Sequence, residues 1–256
     1  MVKPKTNGLP FKTAKSTATD FPFKIFIYGD PGSGKTFSSV TAPAPMVLLT
    51  ERNGLHSIRQ SNPDALVKYC EDADDIRDVL KLALNGELEA HGVKTLVVDS
   101  LTEVQRMFAD EIMRKKGASD EQRMSLPDWG LLTEKMRKFM RCLRDLDLHV
   151  VATALSDTAT DESTGHIKHF PSFAGRKLSS EVSQFFNVVG YCFKREHPEL
   201  KHDNGSPVIE HLVMLEGPSR FVCKPCGPVT GIRTATIGEW YQDIENFTGG
   251  SANGAN

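Results

Sequence analysis

The sequence predicts an α/β fold: a mostly parallel twisted sheet with helices on both faces and an antiparallel β extension. Three observations carry that expectation. A short apolar strand, "FKIFIYG", runs straight into the glycine-rich segment "DPGSGKTF". Strand-like and helix-like segments then alternate through the middle of the chain, the order that builds parallel sheets. After residue 185 short strands follow one another, which suits an antiparallel edge.

The elements follow in order. Residues 1–20 hold Lys3, Lys5, Lys12 and Lys15 among Pro, Thr, Ser and Gly, with no acid before Asp20, and read as a flexible basic arm. Beyond the first strand, "MVLLT" (46–50) and "ALVKYC" (65–70) are further strands. Asp72 to Leu84 is acidic at its start and apolar at helical spacing, a helix with a favourable dipole. "KTLVVDS" (94–100) is a buried strand, and Leu101 to Lys116 and Trp129 to Leu146 are long amphipathic helices. "LHVVATAL" (148–155) is a strand; "FNVVGYCF", "IEHLVMLEG" and "RFVCK" form the late β section. "TGGSANGAN" reads as a disordered terminus. The expected organisation is an arm over 1–20, one domain over 21–246 and a tail over 247–256, without internal repeats.

With 256 residues, the chain can bury the core of one large domain. Its net charge is -2 and its pI about 6.5, so no global basic field advertises nucleic acid and any anion binding must be local. Five cysteines do not pair off, and neither a signal peptide nor a long apolar span stands out. The expectation is a soluble, reduced, cytoplasmic protein that does not engage a membrane. Cys223-Lys-Pro-Cys226 is a lone CxxC; zinc would need two more ligands, with His197, His202 or His211 as recruits, and two ordinary thiols near a turn is the favoured reading.

The glycine-rich segment has the phosphate-loop spacing: Gly29, four residues, then Gly34-Lys35-Thr36. Backbone N–H groups of such a loop surround a phosphate, and the following helix points its positive end at it. Asp30, Pro31 and Ser33 complete the loop, Gly32 and Gly34 let the backbone approach closely, and Phe37 follows. Lys35 should reach the phosphates and Thr36 should place its hydroxyl on Mg²⁺. "TLVVDSLTEV" then brings four apolar residues into Asp99, the acid that a magnesium shell needs at a neighbouring strand end. Two glutamates compete to position the attacking water. Glu51 ends the second strand, where open α/β sheets place ligand-facing residues, and is preferred; Glu103 lies one turn past Asp99.

In that order, "GDPGSGKT", "VLLTERNGL" and "TLVVDSLTEV" resemble the RecA-type recombinase core, and more narrowly the short phage-encoded RecA-like ATPases, some of which promote single-strand annealing. "PDWGLLTEKMRKFMRCLRDLDLHVVATAL" is similar to the helix and strand after that core's first DNA-binding loop, and "FPSFAGRKLSSEVSQFFNVVGYCFK" to its second loop, helix and next strand. The resemblance runs from about Phe23 to Lys224. It implies a RecA-like P-loop fold, ATP and Mg²⁺ as ligands, Lys35 and Thr36 as phosphate and metal contacts, Asp99 as the Walker B acid and Glu51 as the water activator. Such cores end the strand after the long helix in a polar sensor; here the strand reads "VVATALSDT", without Gln or His, so Thr153 or Ser156 would substitute. They also receive a cation from the neighbouring subunit, which places Lys224 first and Arg220 second.

Two segments read as long, functional loops, 114–130 and 156–177. The first offers Lys115, Lys116 and Arg123 for phosphates, with Trp129 either stacking on a base or anchoring the next helix. The second offers Lys168, Phe170, Phe173, Arg176 and Lys177, cations with interleaved rings as single strands require, although its "DTATDEST" start is acidic. "FKTA" (11–14) matches a subunit-docking pattern of strand-exchange recombinases. The resemblance therefore implies single-stranded DNA, copies of the same chain in a ring or filament, and a single-strand-binding protein as partners. Three functions compete: a DNA-stimulated ATPase, an ATP-switched scaffold with little turnover, and, ranked last for want of an Arg-rich lid, a small-molecule kinase.

Overall fold

A computed structural model describes residues 22–117 and 123–249. The basic arm with its "FKTA" segment, and the tail beyond residue 249, lie outside the described residues.

β1 (Lys24–Gly29) is buried at every position. The reason is its place: it pairs in parallel with β5 (His149–Thr160) on one side and β7 (Val188–Lys201) on the other, so both faces are covered. β2 (Pro45–Leu49) and β4 (Thr95–Asp99) are likewise wholly buried, which is why all three read as unbroken apolar runs. With β3 (Leu66–Tyr69) at the edge, the sheet order is β3-β2-β4-β5-β1-β7-β8-β9. The first six of these are parallel neighbours. β8 (Pro207–Met214) and β9 (Ile232–Thr234) add antiparallel strands, as the late β texture predicted.

Helices cover both faces. α1 (Lys35–Ser39) follows the glycine-rich loop, and α2 (Gly54–Ser61) follows β2. α3 (Ala73–Leu84) starts at Asp72, whose carboxylate accepts from the Asp74 and Asp75 amides, and is followed by the single turn α4 (Glu87–Ala90). α5 (Leu101–Lys115) and α6 (Leu126–Asp145) are the two long helices. One core lies under α3, α5 and α6, with Ile76, Val104, Phe108, Met136 and Phe139 packed on the sheet. The other holds Ile58 of α2 and Trp240 and Tyr241 of the last helix, α8 (Ile237–Gly249). Between them in sequence sits the short α7 (Arg176–Glu181).

The structure corrects several expectations. Residues 156–171 are not a loop: β5 runs on to Thr160 and pairs antiparallel with β6 (Ile167–Pro171), forming a hairpin. "RFVCK" makes only isolated bridges, His169 with Phe221 and Val189 with Lys224. α6 begins at Leu126 rather than Trp129, because Ser125 and Asp128 close a capping box around Pro127, and the Ser125 amide donates to Asp128 Oδ2 at 2.9 Å. α8 runs to Gly249, so residues 247–249 belong to a helix and not to a tail. Among the described residues, no helix is long and apolar enough to cross a membrane.

Candidate active site

The loop after β1 owes its shape to glycines at three points. A Cβ on Gly29 would sit 2.4 Å from the Cys192 carbonyl oxygen of β7, and Gly32 and Gly34 take φ of 73° and 95°, a region that disfavours side chains. Lys35 turns back into the cradle so formed. Its ammonium donates to the Gly29 carbonyl at 2.8 Å and the Asp30 carbonyl at 2.9 Å. Burial pushes the Lys35 pKa down, and the fields of Cys192, Asp99 and Asp30 work against that. The loop is therefore an anion cradle with one buried cation at its base.

Asp99 ends β4 beside it, and the Asp99–Ser100 peptide is cis. Thr36 Oγ1 donates to Asp99 Oδ2 at 2.8 Å, and Thr153 of β5 donates to Asp99 Oδ1. Thr50 Oγ1 donates to the Asp99 carbonyl at 3.0 Å, which ties the ends of β2 and β4 together. A hydroxyl and a carboxylate held this close are hard oxygen donors of the kind Mg²⁺ takes, so Thr36 and Asp99 fit the ion that the loop motif implies.

Glu51 lies just past β2 and is exposed. Partial burial raises its carboxyl pKa, and the nearby charges of Glu103 and Asp99 raise it further. Glu103, the rival candidate, is engaged by Arg106 one turn along α5. Both glutamates thus face the Asp99 end of the sheet, and they differ in that an arginine holds one of them.

The family model described as an AAA domain matches residues 22–225, most of the chain. The chain belongs to that family. This AAA domain is therefore a P-loop ATPase domain, and ATP binding and hydrolysis are the activities its family supports. No curated protein matches the chain at a significant level. A solved structure described as a prototypical ATPase from the type III secretion system of pathogenic bacteria is similar at 13% identity with a TM-score of 0.42, over 74% of this chain and 56% of that one. The AAA domain thus spans little more than half of that protein.

Beside the loop, the AAA domain has a cavity of about 690 Å³, lined among others by Phe37, Ser57, Gln60, His211 and Thr236. Phe37 is 42% exposed there, next to the phosphate loop. Sequence reasoning missed Lys194, and it weighed the cross-strand neighbour His211 only as a recruit for zinc. Neither belongs to a motif; the pairing of β7 with β1 brings Lys194 to the loop, and the pairing of β8 with β7 brings His211. Strand alternation from Cys192 was the one available signal for Lys194.

The remaining predicted residues scatter. Lys224 donates its ammonium to the Ser183 carbonyl at 2.9 Å and the Phe186 carbonyl at 2.7 Å. Its side chain is turned into its own subunit, which corrects its assignment as a cation offered to a neighbour. Arg220 lies over the Phe221 ring at 5.5 Å. Of the two sensor candidates, Thr153 bonds Asp99 and Ser156 bonds Asp30.

The DNA candidates are largely engaged. Lys115 pairs with Glu111 at 2.5 Å, Lys116 with Asp128, and Lys168 with Asp161 at 2.6 Å. Phe173 is 8% exposed and stacks on Phe26 with centroids 6.4 Å apart, so it is a core residue and no platform for a base. Phe170 is half-buried, lining a cavity of about 600 Å³ with Asp161 and Lys168. Trp129 is 41% exposed on the first turn of α6, so it is not a buried anchor. Arg123 and Lys177 are exposed, and Arg176 opens α7. Part of the first loop, residues 118–122, lies outside the described residues. Cys226 and Val229 exchange backbone hydrogen bonds around a turn, and among the described residues no group of three His, Cys, Asp or Glu could hold a metal.

Proposed function

We propose that this AAA domain hydrolyses ATP and relays its nucleotide state to single-stranded DNA along β5, in the manner of a RecA-like annealing or recombination ATPase. One observation carries the reading. Thr153 and Ser156 of β5 touch Asp99, the strand-end acid beside the phosphate loop, and Asp30, an acid within it, and the same strand continues as the β5–β6 hairpin. A change at the terminal phosphate would thus pull on a strand that ends in the element proposed to meet DNA.

In this mechanism, the loop N–H groups and Lys35 hold the β- and γ-phosphates. Thr36 and Asp99 would hold Mg²⁺, which when bound would neutralise charge developing on the phosphates. Glu51 orients a water in line with the γ-phosphorus and takes its proton as the new P–O bond forms; the bond to the β–γ bridging oxygen breaks and ADP leaves with that electron pair. Arg123, Arg176 and Lys177 are the cations proposed for the DNA backbone, joined by Lys115, Lys116 and Lys168 if binding displaces their carboxylate partners. Assembly of copies into a ring or filament, and a single-strand-binding partner, rest on the resemblance alone.

Steady-state ATP turnover with and without single-stranded DNA tests this, with Lys35→Ala as the blank. Several-fold stimulation that Ser156→Ala removes is the expected result. A flat response would sink the coupling to DNA and leave the second reading, an ATP-switched scaffold. The pairing of Lys168 with Asp161 favours that alternative, because it occupies the lysine that the hairpin would offer to a phosphate backbone.

A further inference from the structure

Two basic side chains outside every motif reach the phosphate loop from the β7–β8 hairpin. In the parallel register of β1 with β7, Cys192 stands opposite Gly29. Lys194 is two residues on, so it leaves the same face of β7 just beyond the end of β1, where the loop begins. Its ammonium nitrogen lies 3.9 Å from the position a Cβ on Gly32 would take. The cross-strand partner of Lys194 on β8 is His211. His211 Nδ1 lies 2.9 Å from the Ser33 carbonyl oxygen. A carbonyl only accepts, so Nδ1 carries the proton of this bond. The same imidazole rests on Gly34, where a Cβ would come within 2.7 Å of it. The hairpin therefore sits directly on the loop.

Phosphoryl transfer develops charge that a single buried lysine neutralises only in part. Lys224 is held by two carbonyls of its own subunit, and Arg220 lies on an aromatic ring. Lys194 is exposed and carries a flexible four-carbon stem that can swing toward the cradle. We propose that the β7–β8 hairpin is a clamp acting in cis on the phosphate loop, in which Lys194 supplies a second cation to the terminal phosphate of a nucleoside triphosphate and His211 is the positioning residue that fixes the loop backbone beneath it. The proposal rests on the ATPase reading of this site. It assigns to each subunit a charge that the resemblance would draw from a neighbour.

The test uses the full chain and begins with wild type against Lys35→Ala. Turnover that Lys35→Ala abolishes establishes the ATPase reading independently; wild type without turnover would overturn that reading and this proposal with it. Lys194→Ala is then expected to lower kcat roughly 10²-fold with KM little changed, the size typical of losing one donor to transition-state charge. ADP affinity should stay at the wild-type value while affinity for a slowly hydrolysed ATP analogue falls several-fold. Lys194→Arg should recover part of both losses. His211→Ala should weaken ADP and the analogue alike, and Lys201→Ala, a cation farther along the same strand, should change nothing. Unaltered kcat in Lys194→Ala, or equal weakening of ADP and analogue, would overturn the assignment to the terminal phosphate. Mixing Lys35→Ala with Lys194→Ala subunits separates cis from trans: no recovery is expected, and recovered turnover would show that Lys194 serves a neighbour.

Discussion

Glu51 sits in a field of like charge, and that field sets its chemistry. Partial burial, then Glu103 and Asp99, raise its pKa. A base must be deprotonated to accept the proton from water, so kcat should fall on the acid side at a pH above the ordinary glutamate range. Glu103→Gln removes one of the raising charges and frees Arg106, whose field lowers the Glu51 pKa. Both effects have the same sign, and the acid limb of the pH–rate profile should move to lower pH; a limb that stays put would remove Glu51 as its source. Glu51→Gln itself should cost about 10²–10⁴-fold in turnover while nucleotide affinity is kept, the span usual for a lost general base. Gly29→Ala is the steric counterpart. Its methyl would collide with the Cys192 carbonyl at 2.4 Å, so the first strand and the loop would have to part, and both nucleotide affinity and melting temperature should drop.

At the scale of elements, one buried carboxylate joins three helices. Glu111 of α5 is 1% exposed at its side chain and meets Arg77 of α3 at 3.1 Å, Lys115 one turn along at 2.5 Å and Lys135 of α6 at 2.5 Å. Burial alone would raise its pKa; hydrogen bonds from Lys115, Lys135 and Arg77 together outweigh it and hold the carboxyl at about 2. A depressed folded value means that the stabilisation is fully present above the unfolded value near 4.5 and is lost as pH falls from there toward 2. Glu111→Ala deprives Lys115 and Lys135 of their carboxylate and leaves Arg77 with Asp74 alone, and should cost about 2–4 kcal/mol in urea unfolding at pH 7, with the gap to wild type closing below pH 4. An unchanged gap across that range would show that packing, and not charge, makes the contribution. The β5–β6 hairpin belongs at this scale as well. The acids and hydroxyls of 156–164 resemble a loop in one dimension, yet each backbone group from Ser156 to Thr160 faces a register partner on β6.

For the molecule as a whole, α8 closes the second core. Trp240 is fully buried and its indole N–H donates to the Thr234 carbonyl at 3.2 Å; Tyr241 packs beside His149 with ring centroids 4.5 Å apart. The helix can approach only because residue 238 is glycine. A Cβ there would lie 2.4 Å from the Thr41 carbonyl, and the Gly238 amide donates to Thr41 Oγ1 at 3.1 Å. Thr41 lies just past α1, and Thr236 lines the cavity beside the loop, so the last helix braces the nucleotide site from behind. Trp240→Ala should cost about 3–5 kcal/mol in denaturant unfolding, the range for deleting a buried large ring, and should weaken nucleotide binding at a temperature where the variant is still folded. Full affinity in a destabilised variant would break the proposed link between the helix and the site.

By itself the sequence determined the α/β class, the succession of central strands and helices along the chain, and the glycine-rich loop with Lys35, Thr36 and Asp99 beside it. These are legible because they are local: a strand buried on both faces is an apolar run, a loop that admits a phosphate needs glycines at set spacing, and a strand-end acid follows its strand. The partners of side chains were decided only in three dimensions. Phe173 reads as a ring among cations, but the sheet places it against Phe26. Lys224 reads as a free cation, but its backbone bridge to Val189, at the start of β7, brings it to the Ser183 and Phe186 carbonyls that precede the strand. Lys194 and His211 carry no motif, and strand pairing alone seats them on Gly32 and Ser33. Whether a charged group is available or engaged depends on contacts between residues far apart in the chain, and a residue's own neighbours in sequence do not encode them.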